Sequence, residues 1–285
     1  MSIELSRRNL LKSSGALFGT SVLASKVTFA SSGSLPTQSS PTHPIRLSFN
    51  ENPYGPSSKV AEAIQHDLPR LSRYADSAAA QRLAEQIAVY EHVPVEQVVL
   101  GETLGLLGLY LGSRGGPEAS SFTACRAIFA LIDAALRVGG SGVPVGLNAR
   151  YQNDLPALRG KVNERTRAIY LVNPHNPTGT VNDDEEFKRF LGESSQHAVV
   201  IVDEAYLEYA SDFISRSAGS LVRNGANVMV FRTFDKIHAL AGLPIDYVLA
   251  PRALAVALRK QGASDAESLG RLNIVAASAA LRDTA

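Results

Sequence analysis

Four stretches of the chain are apolar at almost every position: Val98-Val99-Leu100, Ala168 to Val172, Ala198 to Val202 and Val228 to Phe231. Runs of strand length without polar alternation suit strands covered on both faces, as in a parallel sheet flanked by helices. Ser77 to Glu91 follows another rhythm, with Leu83, Ile87 and Val89-Tyr90 near one face at helical spacing. A further helix is expected from about Thr103. Polar, helix-favouring segments, Asp183 to Ser194 and Ala210 to Arg223, separate the last three apolar runs. The pattern predicts an α/β fold with a largely parallel sheet, in which ligands gather where the strands end at their carboxyl edge.

Composition narrows the partner more than the fold. The 285 residues are 45% hydrophobic and 19% charged, enough to bury a real core. Lys and Arg total 28 against 27 Asp and Glu, so the formal charge of +1 offers no electrostatic reason for nucleic acid or a membrane surface as partner. A small molecule is the expected ligand, and no metal site is expected. The single cysteine, Cys125, cannot form an intrachain disulfide.

The first thirty residues carry a separate message. Ser6-Arg7-Arg8-Asn9-Leu10-Leu11-Lys12 precedes a small, apolar run to Ala24, and the stretch closes on Thr28-Phe29-Ala30. A paired arginine before such a run resembles the twin-arginine export signal, the alternative being a terminal helix. The run is too short and too rich in Ser and Gly for a membrane span. Residues 1–30 are therefore expected to be a signal peptide and 31–44 a linker. The expected location is periplasmic or secreted, with no membrane contact after signal removal, or cytoplasmic if the signal is not used.

Candidate chemistry clusters at the predicted strand ends. Asn173-Pro174-His175-Asn176-Pro177-Thr178-Gly179-Thr180 follows one strand and alone reads as a turn. Val202-Asp203-Glu204-Ala205-Tyr206 closes another, too apolar to tolerate a lone carboxylate, so Asp203 needs a cation or strong donors nearby; a helix N-cap or a structural ion pair is its plainer fate. Arg232-Thr233-Phe234-Asp235-Lys236 follows the last.

Taken in this order, NPHNPTGT, VDEAY and FRTFDK resemble the motif series of class I and II aminotransferases, and Ser48 to Pro56 (SFNENPYGP) resembles the N-terminal arm of the histidinol-phosphate aminotransferase group. The resemblance implies a fold-type I pyridoxal-phosphate enzyme with an arm over residues 45–70, a large domain over 71–260 and the start of a small domain over 261–285. It implies that Lys236 bonds the cofactor aldehyde and then shuttles a proton, that Asp203 faces the pyridine nitrogen, and that Asn176 and Tyr206 serve the phenolic oxygen. Tyr54 is expected to reach the cofactor phosphate of a neighbouring subunit in a homodimer, Gly101-Glu102-Thr103 to offer helix-start amides to the phosphate, and Phe129 to stack on the ring. The implied reaction moves an amino group between an amino acid or amino-alcohol phosphate and a 2-oxo acid. A non-catalytic relative, or a decarboxylase or lyase on the same cofactor, is the alternative.

The chain departs from that family at several points. Asp235 stands where a small or hydroxyl residue is usual before the lysine, Pro244 where an arginine serves the phosphate, and Asp246 where a glycine is usual. Weaker cofactor binding is expected unless another group, such as Arg232, compensates. Relatives also continue beyond the position of Ala285, into a segment that carries the arginine for the substrate carboxylate.

Overall fold

The computed structural model describes residues 48–114, 120–124 and 130–283. The expected signal peptide and linker, Cys125 and Phe129 lie outside these residues. Seven strands form one sheet: β1 Val98–Leu100, β2 Ser120–Ala124, β3 Ser141–Val145, β4 Thr166–Val172, β5 Val199–Asp203, β6 Val228–Thr233 and β7 Asp246–Leu249. Their order is β1-β7-β6-β5-β4-β2-β3. The run from β6 to β3 pairs in parallel, as the apolar patterns foretell, while β7 is antiparallel to both β6 and β1.

Alternation of side chains across the sheet sorts its residues into two cores. Ile169, Leu171, Val200, Val202, Val228, Val230 and Tyr247 join one, while Ala168, Tyr170, Val199, Ile201, Met229, Phe231 and Val248 join the other. Both faces are dry, which is why these strands lack polar alternation.

The helices are α1 Ser58–Asp67, α2 Ser77–Glu91, α3 Thr103–Arg114, α4 Ala130–Arg137, α5 Leu155–Arg159, α6 Asp184–Ser194, α7 Phe213–Arg216, α8 Gly219–Arg223, α9 Arg252–Lys260 and α10 Arg271–Leu281. Helix α2 starts where Asp76 caps the Ala79 amide at 2.6 Å, and it buries Leu83 and Ile87 fully. Val89 departs from the expected stripe and is 74% exposed, because two residues past Ile87 the helix has turned too far to face the core. The single helical segment expected over Ala210 to Arg223 is instead a 3-10 turn at Leu207–Tyr209 followed by the short α7 and α8. Helices α3 and α4 approach so closely that a Cβ at Gly108 would stand 2.1 Å from the Leu131 carbonyl oxygen, so glycine is required there. Helix α10 packs its buried Ile274, Ala276 and Ala277 into the same core as Val60 of α1 and Leu83 of α2.

Candidate active site

The carboxyl edge of the parallel strands is where the sequence motifs meet. Strand β4 ends at Val172 beside Asp203, the last residue of β5, and Asp203 pairs in register with Phe231 of β6. Because β7 runs the opposite way, its first residue, Asp246, lies opposite Thr233 at the end of β6 and so reaches the same edge. Strand β1, antiparallel to β7, points Leu100 and the start of α3 there as well. The site therefore collects residues from five strand ends and from the chain's early arm.

Asp203 is fully buried. Its Oδ2 accepts from the Tyr170 hydroxyl at 2.5 Å and its Oδ1 from the Ala205 amide at 3.0 Å. Neither expected plainer fate applies: it caps no helix, and among the described residues no cation stands within ion-pair distance. Burial pushes its carboxyl up to about 6, against the pull of the Tyr170 bond, the Ala205 amide and the more distant Lys236 charge. Tyr170 stays protonated as a donor, since burial and then the Asp203 charge raise its own hydroxyl well above the usual range.

Lys236 and Tyr206 stand together a short way off, with the lysine Nζ 5.9 Å from the tyrosine ring centre. The Tyr206 oxygen accepts from the Asn176 amide at 3.4 Å and from the Asn50 amide at 3.1 Å. Two donors on one phenolic oxygen leave its own proton free to be given away. Both prolines of the Asn173–Thr180 loop, Pro174 and Pro177, follow cis peptide bonds. The arm crosses this group: the Phe49 carbonyl accepts from Lys236 Nζ at 3.2 Å and the Asn52 amide donates to the Ile237 carbonyl at 3.0 Å. Phe49 and Asn50 both adopt left-handed backbone, with φ of 68° and 52°. Sequence reasoning missed Tyr170, Asn50 and the Phe49 carbonyl. A tyrosine inside an otherwise aliphatic strand was a readable signal; the arm contacts had none.

Beside this group opens a cavity of about 980 Å³, lined by Gly101, Glu102, Asp235, Pro244 and Asp246 among others. Among the described residues five carboxylates border it, those of Glu102, Asp133, Asp235, Asp246 and Asp265, against one cation, the exposed Arg137. Gly101 turns the chain with φ of 101°, a conformation open to glycine, and its amide is spent on the Asp246 carbonyl at 2.9 Å. The Thr103 amide is spent on the Gly101 carbonyl at 2.7 Å. The Thr103 hydroxyl is fully buried, has no hydrogen-bond partner and does not line the cavity. Burial raises Asp246 to about 7, with the charges of Asp235, Asp203 and Glu102 adding to the rise and Thr233 opposing it. Asp235 is also raised, chiefly by burial.

Arg232 does not serve this cavity. Strand alternation turns it to the face opposite Phe231 and Thr233, where it is 1% exposed and meets Glu204 at 3.0 Å, Glu208 at 3.8 Å and Glu91 at 4.0 Å. Tyr54 is 94% exposed and touches none of the site's groups in its own chain through a side-chain hydrogen bond.

Comparison with known proteins agrees with this geometry. Residues 42–282 match the family model described as aminotransferase class I and II. An aromatic amino acid aminotransferase of Thermobifida fusca is 38% identical over 218 residues, covering 75% of this chain and 60% of the relative. A histidinol-phosphate aminotransferase of Akkermansia muciniphila is 33% identical over 238 residues, covering 83% and 63%. The crystal structure of histidinol-phosphate aminotransferase from Sinorhizobium meliloti in complex with pyridoxal-5'-phosphate superposes with a TM-score of 0.73 at 28% identity, covering 82% of this chain and 63% of that one. The chain thus spans about three fifths of the length of the curated relatives it matches. With the motifs at one sheet edge and the family model spanning nearly all described residues, the chain belongs to the class I and II aminotransferases, a fold-type I family that works with pyridoxal phosphate.

Proposed function

We propose that this chain is a pyridoxal-phosphate aminotransferase, moving an amino group between an amino acid or amino-alcohol phosphate and a 2-oxo acid. The observation that carries the reading is Asp203: a fully buried carboxylate with no cation at ion-pair distance among the described residues, at one end of a group that holds Lys236 and Tyr206 at the other.

The residues fit the ring of the cofactor. When bound, it supplies an aldehyde that condenses with an amine, with loss of water, and a pyridinium that takes up the electron pair left when Cα gives up its proton. Asp203 would hold the proton on the ring nitrogen, its charge supported by Tyr170 and the Ala205 amide. Lys236 would provide the amine, and once released would carry the proton to and from Cα. Tyr206, steadied by Asn176, would donate to the phenolic oxygen and keep the ring in place. The phosphate end fits poorly, since the adjoining cavity presents carboxylates and the helix-start amides of Gly101 and Thr103 are engaged.

The relatives' names support donors that carry an aromatic or imidazole ring. The exposed arm, with Tyr54 and the 74% exposed Phe49, suits contact with a second copy, in which Tyr54 would reach the partner's cofactor. The test is a visible absorption titration of the whole chain with pyridoxal phosphate beside Lys236→Ala. A shifted band that borohydride removes, absent from the variant, is the expected result, followed by 2-oxo acid formation from aromatic amino acids or histidinol phosphate. A folded wild-type chain that gives the same spectrum as the variant with pyridoxal phosphate and also with free pyridoxal refutes the reading and leaves a relative that keeps the fold without the chemistry.

A further inference from the structure

Among the described residues, the cavity that Asp235 lines next to Lys236 has the wrong sign for a phosphate and the right acceptors for something else. Asp235 precedes the lysine, and its Oδ1 is buried without any hydrogen-bond partner. Asp246 sits opposite Thr233 on the same face of the sheet, and the Thr233 oxygen already receives the Asp235 amide at 3.0 Å. Glu102 adds a third carboxylate at the start of α3. A phosphate monoester brings nearly two negative charges and, as a dianion, no hydrogen to donate. It would meet like charge in a partly desolvated place, where screening is weak, and would leave the Asp235 oxygen unsatisfied. A neutral hydroxymethyl group in the same position adds no charge and donates one hydrogen bond, for which the Asp235 and Asp246 carboxylates that line the cavity are acceptors.

We infer that this cavity selects a pyridoxal-type aldehyde whose ring arm is neutral and hydrogen-bond donating, as in unphosphorylated pyridoxal, and discriminates against the phosphate ester. The inference rests on Lys236 as the bonding amine and adds which form of the ligand the chain takes. Asp235 and Asp246 are the residues that set the preference.

The test uses the whole chain, the isosteric double variant Asp235→Asn/Asp246→Asn and the single Asp235→Asn. Each is titrated at pH 8 with pyridoxal phosphate and with pyridoxal, trapped with borohydride and weighed intact. Because pyridoxal partly closes on itself in water, the informative quantity is how the ratio of the two dissociation constants, phosphate form over free form, changes between proteins. The ratio is expected to fall at least about tenfold in the double variant, with a smaller fall in the single one. If the double variant loses its near-ultraviolet circular dichroism, the single variant decides, with a fall of at least about threefold expected. A ratio unchanged in a folded variant overturns the inference while trapping at Lys236 still stands. Failure of the wild type and both variants to trap either aldehyde overturns the lysine reading, and the inference with it.

Discussion

Asp203 and Glu204 are neighbours in sequence and both are buried to within 2% of complete, yet the sheet sends them to different company. On one face, Glu204 meets Arg232 at 3.0 Å and takes the Ala218 amide at 2.7 Å and the Ser217 hydroxyl at 2.9 Å, while Tyr247 serves Glu91 at 2.6 Å and Tyr90 serves Glu208 at 3.2 Å. Burial opposes the Arg232 charge, but the surrounding carboxylates outweigh it and hold the guanidinium firmly protonated. On the other face, Asp203, Thr233 and Asp246 share an edge with no cation at ion-pair distance among the described residues. One face is electrically closed by the fold itself, while the other is left open for something that arrives later. A buried charge thus marks a binding site only when its counter-charge is missing.

The sharpest way to break this contrast is to open the closed face. Arg232→Met should cost about 3–5 kcal/mol in a denaturant titration, because it strands Glu204 and its neighbours without a partner. A loss below about 1 kcal/mol would show that the network is dispensable. The open face should respond in the opposite sense. Asp203 and Asp246 have folded-state values raised to about 6 and about 7 from an ordinary 3.8, so each holds its proton more tightly when folded. Their stabilising contribution is present in full below about pH 4 and is lost as the pH rises through about 6 and 7. Asp203→Asn should therefore raise stability at pH 8 by up to about 3 kcal/mol and change little at pH 4, even as it removes the anchor for the ring nitrogen. Equal effects at the two pH values would contradict the assignment. The smallest effect is expected from Tyr170→Phe, which deletes one donor to Asp203. It should cost about 1 kcal/mol at pH 8 and move the Asp203 transition to higher pH, a shift visible by titrating stability against pH.

Much of the closed framework was readable beforehand, because β4, β5 and β6 are apolar on both faces and end on the motifs. The strands that escaped have physical reasons. Strand β3 (SGVPV) and strand β2 (SSFTA) carry small or polar residues, and β7 (DYVL) opens on a charged residue that breaks the apolar pattern. Missing β7 hid the role of Asp246, since only an antiparallel strand brings its first residue to the carboxyl edge. The fate of Arg232 was legible in principle: counting by twos from Phe231 puts it on the far face. Lys236, Asp203, Asn176 and Tyr206 do come together as the motif order implied, whereas the arm's grip on them depends on chain segments too distant for any local pattern to reveal.

That grip has a bearing on how the protein is made. The bonds from the arm to Ile237, Lys236 and Tyr206 join residues 185, 187 and 156 positions apart. Loops of that length are closed only after nearer contacts have reduced the entropy of bringing their ends together. The arm can dock only once the sheet between its anchor points exists. An unfinished chain therefore holds Lys236 apart from Asn50 and Phe49, so completion of the sheet, and not synthesis of the lysine, sets the moment at which the site becomes whole.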